Sequence, residues 1–332
     1  MVMRAKSGWQ CVLVFAVGLT ALAGYAGNAV LAGDTRLPGT KSGFVTTSDG
    51  IRIHYLEAGR ARTFPSAQVG NPLPSSATPT KGNIAVTNPN QFPAVLFIPG
   101  WTMPAWVWEM QIAYFSKDFR VVAMDPRSQG ESSQTHDGLY PAARARDIKA
   151  VVDRLHLSPV VLVGWSMGVT EIAAYLDQFG SQDLAGIVLV DGYAGGNQPG
   201  DAAPDLRLIN SILVDRQKAF SDFMHNVMFK KPQPEEYIQR LTHASNITPT
   251  DAAVALLVGM FGNDYKPALV KNTKPVLICV ADNSIFKAQL EDLHKQMPSA
   301  RYEPFSGAGH TLFVEDPDKF NTLLEDFLHD LL

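Results

Sequence analysis

The pattern in this chain best suited to covalent chemistry is a serine between two glycines, Gly164-Trp165-Ser166-Met167-Gly168. It follows the apolar run Val160–Val163 and opens a helical pattern over Gly168–Phe179. A serine on a sharp strand-to-helix turn has its hydroxyl lifted clear of the sheet. The flanking positions are then restricted to glycine, because a side chain there collides with neighbouring backbone. The helix that starts at once points its amide groups toward developing negative charge. A serine hydroxyl is a weak nucleophile at neutral pH, so an imidazole must take its proton during attack. Of the 8 histidines, His310 is the one on a glycine-rich loop, Gly307-Ala308-Gly309-His310, after the last apolar run Tyr302–Phe305. Cys279 is a different case. It sits inside Val276-Leu277-Ile278-Cys279-Val280 and reads as a small hydrophobe of a buried strand.

In their order and surroundings these motifs resemble the α/β-hydrolase superfamily from about Phe44 to the C-terminus, leaving out residues 60–93. Pro99-Gly100-Trp101 is similar to the family's oxyanion loop, with Pro99 where a histidine is usual. The stretch from Asp125 through Arg127 and Gly130 to Ser132 matches a structural turn of the family, so Asp125 and Arg127 are expected to buttress the site. Gly307–His310 followed by Glu315-Asp316-Pro317 matches its histidine loop. The resemblance implies Ser166 as nucleophile and His310 as base. It also implies the backbone N–H groups of Trp101 and Met167 as oxyanion donors, each worth about 3 kcal/mol. The third member departs from the family pattern. Where an acid usually follows the penultimate strand, alignment puts Ser284, which cannot stabilise imidazolium as a carboxylate does. Two substitutes stand open: Asp191, ending the strand Ile187–Val190 before Gly192, and Asp282, two residues ahead of the usual position. Asp191 is the preferred assignment and Asp282 the alternative. Asp137, Asp147 and Glu171 are expected on helix surfaces or at caps.

A serine nucleophile excludes the superfamily branches that need aspartate there and leaves acyl transfer. The Trp101–Pro104 and Gly164–Glu171 stretches are similar to cofactor-free perhydrolases, also called non-haem haloperoxidases, and to small esterases. The expected reaction is hydrolysis of a small-molecule carboxylic ester through an acyl-enzyme, with perhydrolase or lactonase chemistry on the same site as alternatives. The missing usual acid motivates a reading of another class, an inactive binding protein on this scaffold. No His/Cys/Asp/Glu cluster has metal-ligand spacing and no phosphate-cradling glycine loop occurs, so neither metal nor cofactor is expected. A net charge of −4 without a basic block excludes a nucleic-acid surface of the usual kind.

The elements that must position these residues follow from the apolar pattern. The chain has 332 residues, 46% of them hydrophobic, enough for one large core. Residues 44–58 alternate around Asp49-Gly50 as a hairpin. Short runs at Val95–Ile98, Val121–Met124, Val160–Val163, Ile187–Val190, Val276–Val280 and Tyr302–Phe305 suit strands covered on both faces. Helices are predicted between them at Ala105–Lys117, Pro141–His156, Gly168–Phe179, Phe286–Met297 and Pro317–Leu331. The fold class is therefore α/β, a doubly wound and mostly parallel sheet. Residues 192–272 interrupt the rhythm after the sixth strand. They read as a helical cap, with helices at Pro204–Lys218, Pro234–Ala244 and Pro249–Phe261. The core is then 33–191, with 60–93 as a surface insertion, and 273–332. Residues 1–32 read as a signal peptide: Arg4 and Lys6 precede an apolar run of about a dozen residues and small residues follow. The expectation is an exported enzyme with no stable membrane association after cleavage.

Overall fold

The computed structural model describes Leu37 and residues 39–60, 92–195 and 206–331. The segment read as a signal peptide and most of the 60–93 insertion lie outside the described residues. Strands β1 (Lys41–Thr46) and β2 (Arg52–Ala58) form the expected hairpin, with Thr46 opposite Arg52 and Val45 opposite Ile53. Gly50 takes the turn position at φ 83°. Then follow β3 (Ala94–Ile98), β4 (Val121–Met124), β5 (Val160–Trp165), β6 (Leu184–Val190), β7 (Val276–Ala281) and β8 (Arg301–Phe305). Among the described residues these make one sheet, ordered β1-β2-β4-β3-β5-β6-β7-β8. The hairpin and the β2–β4 pair are antiparallel, and every other pair is parallel.

Every residue of β3, β4, β5 and β7 is buried, which is why these strands read as unbroken apolar runs. Period-two alternation sorts their side chains onto two faces. Leu96, Ile98, Leu162, Ile187, Leu189 and Ile278 share one core with helices α2 (Pro141–Arg154) and α3 (Met167–Phe179). Val95, Phe97, Val161, Val163, Val188 and Cys279 share the other with α1 (Glu109–Phe115) and α11 (Pro317–Asp330). The helix expected over Ala105–Lys117 is shorter: a 3₁₀ turn, Ala105–Trp108, leads into α1.

Between β6 and β7 the chain runs through α4 (Leu206–Val214), α5 (Arg216–Phe223), a π-helical turn (Met224–Met228), α6 (Glu235–Ser245), α7 (Thr250–Phe261) and α8 (Lys266–Val270). The single helix expected up to Lys218 is two helices. The Asp215 side chain accepts the Lys218 N–H at 3.0 Å and caps a new start there. Phe220, Met224, Met228 and Met260 are buried, so most of the apolar residues of this segment pack it onto the body. After β7 come α9 (Lys287–Gln296), β8, and the short α10 (Leu312–Glu315) ahead of α11.

Candidate active site

β5 ends at Trp165 and α3 begins at Met167, leaving Ser166 alone at the turn with φ 58° and ψ −115°. That left-handed backbone costs a non-glycine residue about 1–3 kcal/mol and persists only where the surroundings enforce it. They do. The Ser166 N–H donates to the Val190 carbonyl at 2.9 Å, and its own carbonyl accepts from Val169 at 3.1 Å. A Cβ on Gly164 would stand 2.5 Å from the Gly168 carbonyl oxygen, and one on Gly168 would stand 2.8 Å from that of Ile98. β3, β5 and α3 therefore meet backbone to backbone at the elbow.

Asp191 is the first residue after β6, the neighbour of β5, and is wholly buried with φ 42°. Its Oδ2 lies 2.7 Å from His310 Nδ1, and its Oδ1 accepts the Ala281 N–H at 2.9 Å. The Ala281 N–H, at the end of β7, thus serves the carboxylate that follows the adjacent strand. Asp282 is not brought to the imidazole. Its side chain is 39% exposed and lies 4.0 Å from Lys287 Nζ. Ser284 accepts the Phe286 N–H at 3.0 Å and shapes the turn into α9.

His310 is held from two further sides. The Trp165 indole packs against its ring at 5.1 Å between centroids and donates Nε1–H to its carbonyl at 2.9 Å. Below the loop, the Glu315 carboxylate accepts N–H bonds from Gly309 (2.5 Å), Lys230 (2.8 Å) and Lys231 (2.5 Å). Thr311 adds two bonds, from N–H and hydroxyl, to the Met228 carbonyl at 3.0 and 2.8 Å. One carboxylate thereby ties the histidine loop to the helical segment. Neither the Trp165 contact nor the Glu315 contact with Lys230 and Lys231 is signalled in the sequence, since each joins residues more than 80 positions apart.

The loop after β3 lies against the elbow: a Cβ on Gly100 would stand 2.9 Å from Ser166 Cβ. Among the described residues no group accepts the N–H of Trp101 or of Met167. The Trp101 side chain faces the helical segment instead. Nε1–H donates to the Ala253 carbonyl at 2.8 Å, and the ring packs on Phe220 at 5.2 Å and Phe223 at 5.8 Å.

Asp125 and Arg127 are buttresses. Asp125 takes His54 Nδ1 at 2.7 Å and the Ala105 N–H at 2.5 Å, and Arg127 forks onto Asp147 at 2.7 and 2.6 Å. The expectation that Asp147 and Glu171 lie on helix surfaces is corrected: both are buried. Glu171 faces Arg144, with Oε1 3.1 Å from Nη1 but outside the hydrogen-bonding direction. Burial pushes the Glu171 carboxyl up to about 7, raises Asp147 and lowers Arg144. Burial likewise raises the Cys279 thiol, keeping it protonated and inert.

The Alpha/beta hydrolase family profile matches residues 95–323. The chain is 30% identical over 250 residues to the bifunctional esterase/perhydrolase of Acinetobacter calcoaceticus, covering 71% of this chain and 80% of that one. It is 26% identical over 302 residues to a non-heme chloroperoxidase of Kitasatospora aureofaciens, covering 86% and 98%. An esterase from Exiguobacterium antarcticum superposes with a TM-score of 0.71 at 21% identity, over 87% of this chain and all of that one. The matched span runs from β3 into α11 and so takes in the elbow, Asp191 and the histidine loop. The chain belongs to the Alpha/beta hydrolase family.

Proposed function

We propose that the protein hydrolyses small-molecule carboxylic esters through an acyl-enzyme on Ser166. The observation that carries this reading is the 2.7 Å bond between His310 and the buried Asp191 at the carboxyl edge of the sheet, beside a serine strained into the elbow conformation. Asp191 accepts the Nδ1 proton and so leaves Nε2 as the basic nitrogen. Ser166 Oγ attacks the ester carbonyl as Nε2 takes its proton. The new oxyanion is stabilised by the N–H groups of Trp101 and Met167. The tetrahedral species collapses and breaks the bond to the alcohol oxygen, which leaves with the proton from Nε2. Water then attacks the acyl-serine, again losing a proton to Nε2, and the acid departs as Ser166 is re-formed.

A fluorophosphonate probe with mass mapping of the adduct tests this. Labelling at Ser166, abolished together with ester hydrolysis in Ser166→Ala, supports it. A folded wild type that takes no label and cleaves no ester supports the binding-protein reading instead.

The similarity to a protein named as both esterase and perhydrolase favours one second reading. The same acyl-serine attacked by hydrogen peroxide in place of water yields a peracid. Peracid formation exceeding hydrolysis, in acetate with peroxide, would make this the main reaction. We place that reaction outside the cytoplasm on the basic-then-apolar pattern of residues 1–32. N-terminal sequencing of the exported protein checks this placement.

A further inference from the structure

The Gly100–Trp101 peptide is a single plane with the proposed oxyanion donor, the Trp101 N–H, on one edge and the Gly100 carbonyl on the other. Whatever holds the carbonyl aims the N–H. The carbonyl closes a turn with the Met103 N–H at 3.2 Å and also accepts Gln129 Nε2–H at 3.0 Å. Gln129 Nε2 donates in addition to the Met103 carbonyl at 2.8 Å, so one amide group grips both ends of the loop. Its other atom, Oε1, accepts from Arg144 Nη2 at 2.6 Å. A guanidinium can only donate, which fixes Oε1 toward Arg144 and leaves Nε2 for the two carbonyls. Arg144 is itself wholly buried. It faces Glu171 on α3 and sets Nη1 3.2 Å from the sulfur of Met167. Met167 supplies the second donor from the first turn of the same helix. A buried polar line therefore runs from the β3 loop to α3 through Gln129 and Arg144.

We propose that Gln129 is a positioning residue for the oxyanion hole, acting through the Gly100–Trp101 peptide, with Arg144 fixing its amide. The proposal rests on the serine-hydrolase reading above. Gln129 touches no reacting atom. Its effect is to hold one donor in place before charge develops, so it acts on the transition state and not on substrate binding. Glutamate at this position keeps the shape and the Arg144 contact but loses the donor and turns an oxygen toward two carbonyls. Methionine keeps the volume and loses both functions.

The test measures hydrolysis of p-nitrophenyl acetate by wild type, Gln129→Glu and Gln129→Met, each divided by the active sites titrated with a fluorophosphonate. It is paired with inhibition by a boronic acid, whose tetrahedral adduct on serine needs the hole. In both variants kcat per titrated site is expected to fall roughly 10- to 100-fold with KM within about threefold. Boronate affinity should weaken in step with kcat. A merely structural role would lower the melting temperature or the titrated fraction and leave kcat per site unmoved. A kcat per site within about twofold of wild type in either variant overturns the proposal, since both lack the donor. Failure of the wild type to label at Ser166 overturns the underlying reading, a different and distinguishable outcome.

Discussion

His310 and Asp191 are joined by a 2.7 Å hydrogen bond although they stand 119 residues apart and leave strands separated by β7. The intervening strand takes part through backbone alone, its Ala281 N–H holding the second carboxylate oxygen at 2.9 Å. Asp191→Asn keeps the shape but presents an amide where Nδ1–H must be accepted, and so favours the wrong imidazole tautomer. We expect kcat for an activated ester to fall by about 10²- to 10⁴-fold. Asp282→Asn, changed in parallel, should stay within about twofold, since its carboxylate faces Lys287. Steady-state kinetics at matched active-site concentration check both.

A second line of the same three residue types crosses the hairpin: Ser42 Oγ lies 2.8 Å from His54 Nε2, whose Nδ1 lies 2.7 Å from Asp125. Ser42, however, sits in extended β1 at the sheet edge, away from any helix start and without the elbow conformation. Hydrogen bonds alone do not make a nucleophile; the strained turn and its adjacent donors are needed too. Ser42→Ala should therefore leave fluorophosphonate labelling and ester hydrolysis unchanged, and mass mapping should find no adduct on the peptide bearing Ser42.

Glu171 gives the stability a pH dependence of known sign. Its carboxyl, pushed by burial from 4.5 to about 7, is protonated in both folded and unfolded chains below 4.5. Between 4.5 and about 7 the unfolded chain ionises and the folded one resists, so stability contributed by the protonated form is lost as pH rises and the loss is complete above about 7. Relative to Glu171→Gln, wild type should lose up to roughly 3 kcal/mol across this window and then level off. Denaturant melts of both proteins at pH 4.5, 6 and 8 measure it; parallel curves would contradict the burial argument.

Glu315 accepts three backbone N–H groups from two segments. Glu315→Ala orphans them together, which should cost about 2–4 kcal/mol of stability. Hydrogen exchange should rise at Gly309, Lys230 and Lys231 before it rises in the central strands. Chemical denaturation and exchange mass spectrometry follow the two effects.

Those residues were legible in the sequence whose constraint is local. The elbow glycines, the hairpin at Asp49-Gly50 and the fully apolar central strands each announce a short-range requirement, and the fold follows from their alternation. Asp191 was legible as a strand-end aspartate, but its hydrogen bond to His310 was not, because it depends on a loop 119 residues further along the chain. The Gln129–Arg144–Glu171 line was not legible. Arg144 on α2 and Glu171 on α3 look the same in sequence whether a helix turns them to water or to another buried charge, and Gln129 stands in the loop between β4 and α2, where nothing local tells a buried amide from an exposed one. The break between α4 and α5, by contrast, carried a usable sign in Asp215, three residues before the amide that it caps.

The order of β5 through β8 has a consequence for how activity is acquired. Gly100, Ser166, Asp191 and His310 each follow a different strand, and the last docks only when β8 closes the sheet. Contacts of such long sequence separation form late, after the loop-closure entropy of most of the chain has been met. Active-site titration on a refolding sample should therefore lag behind the recovery of secondary structure and report native chains alone. A polypeptide arrested before its final strand docks carries Ser166 and Asp191 without the bond from Asp191 to His310.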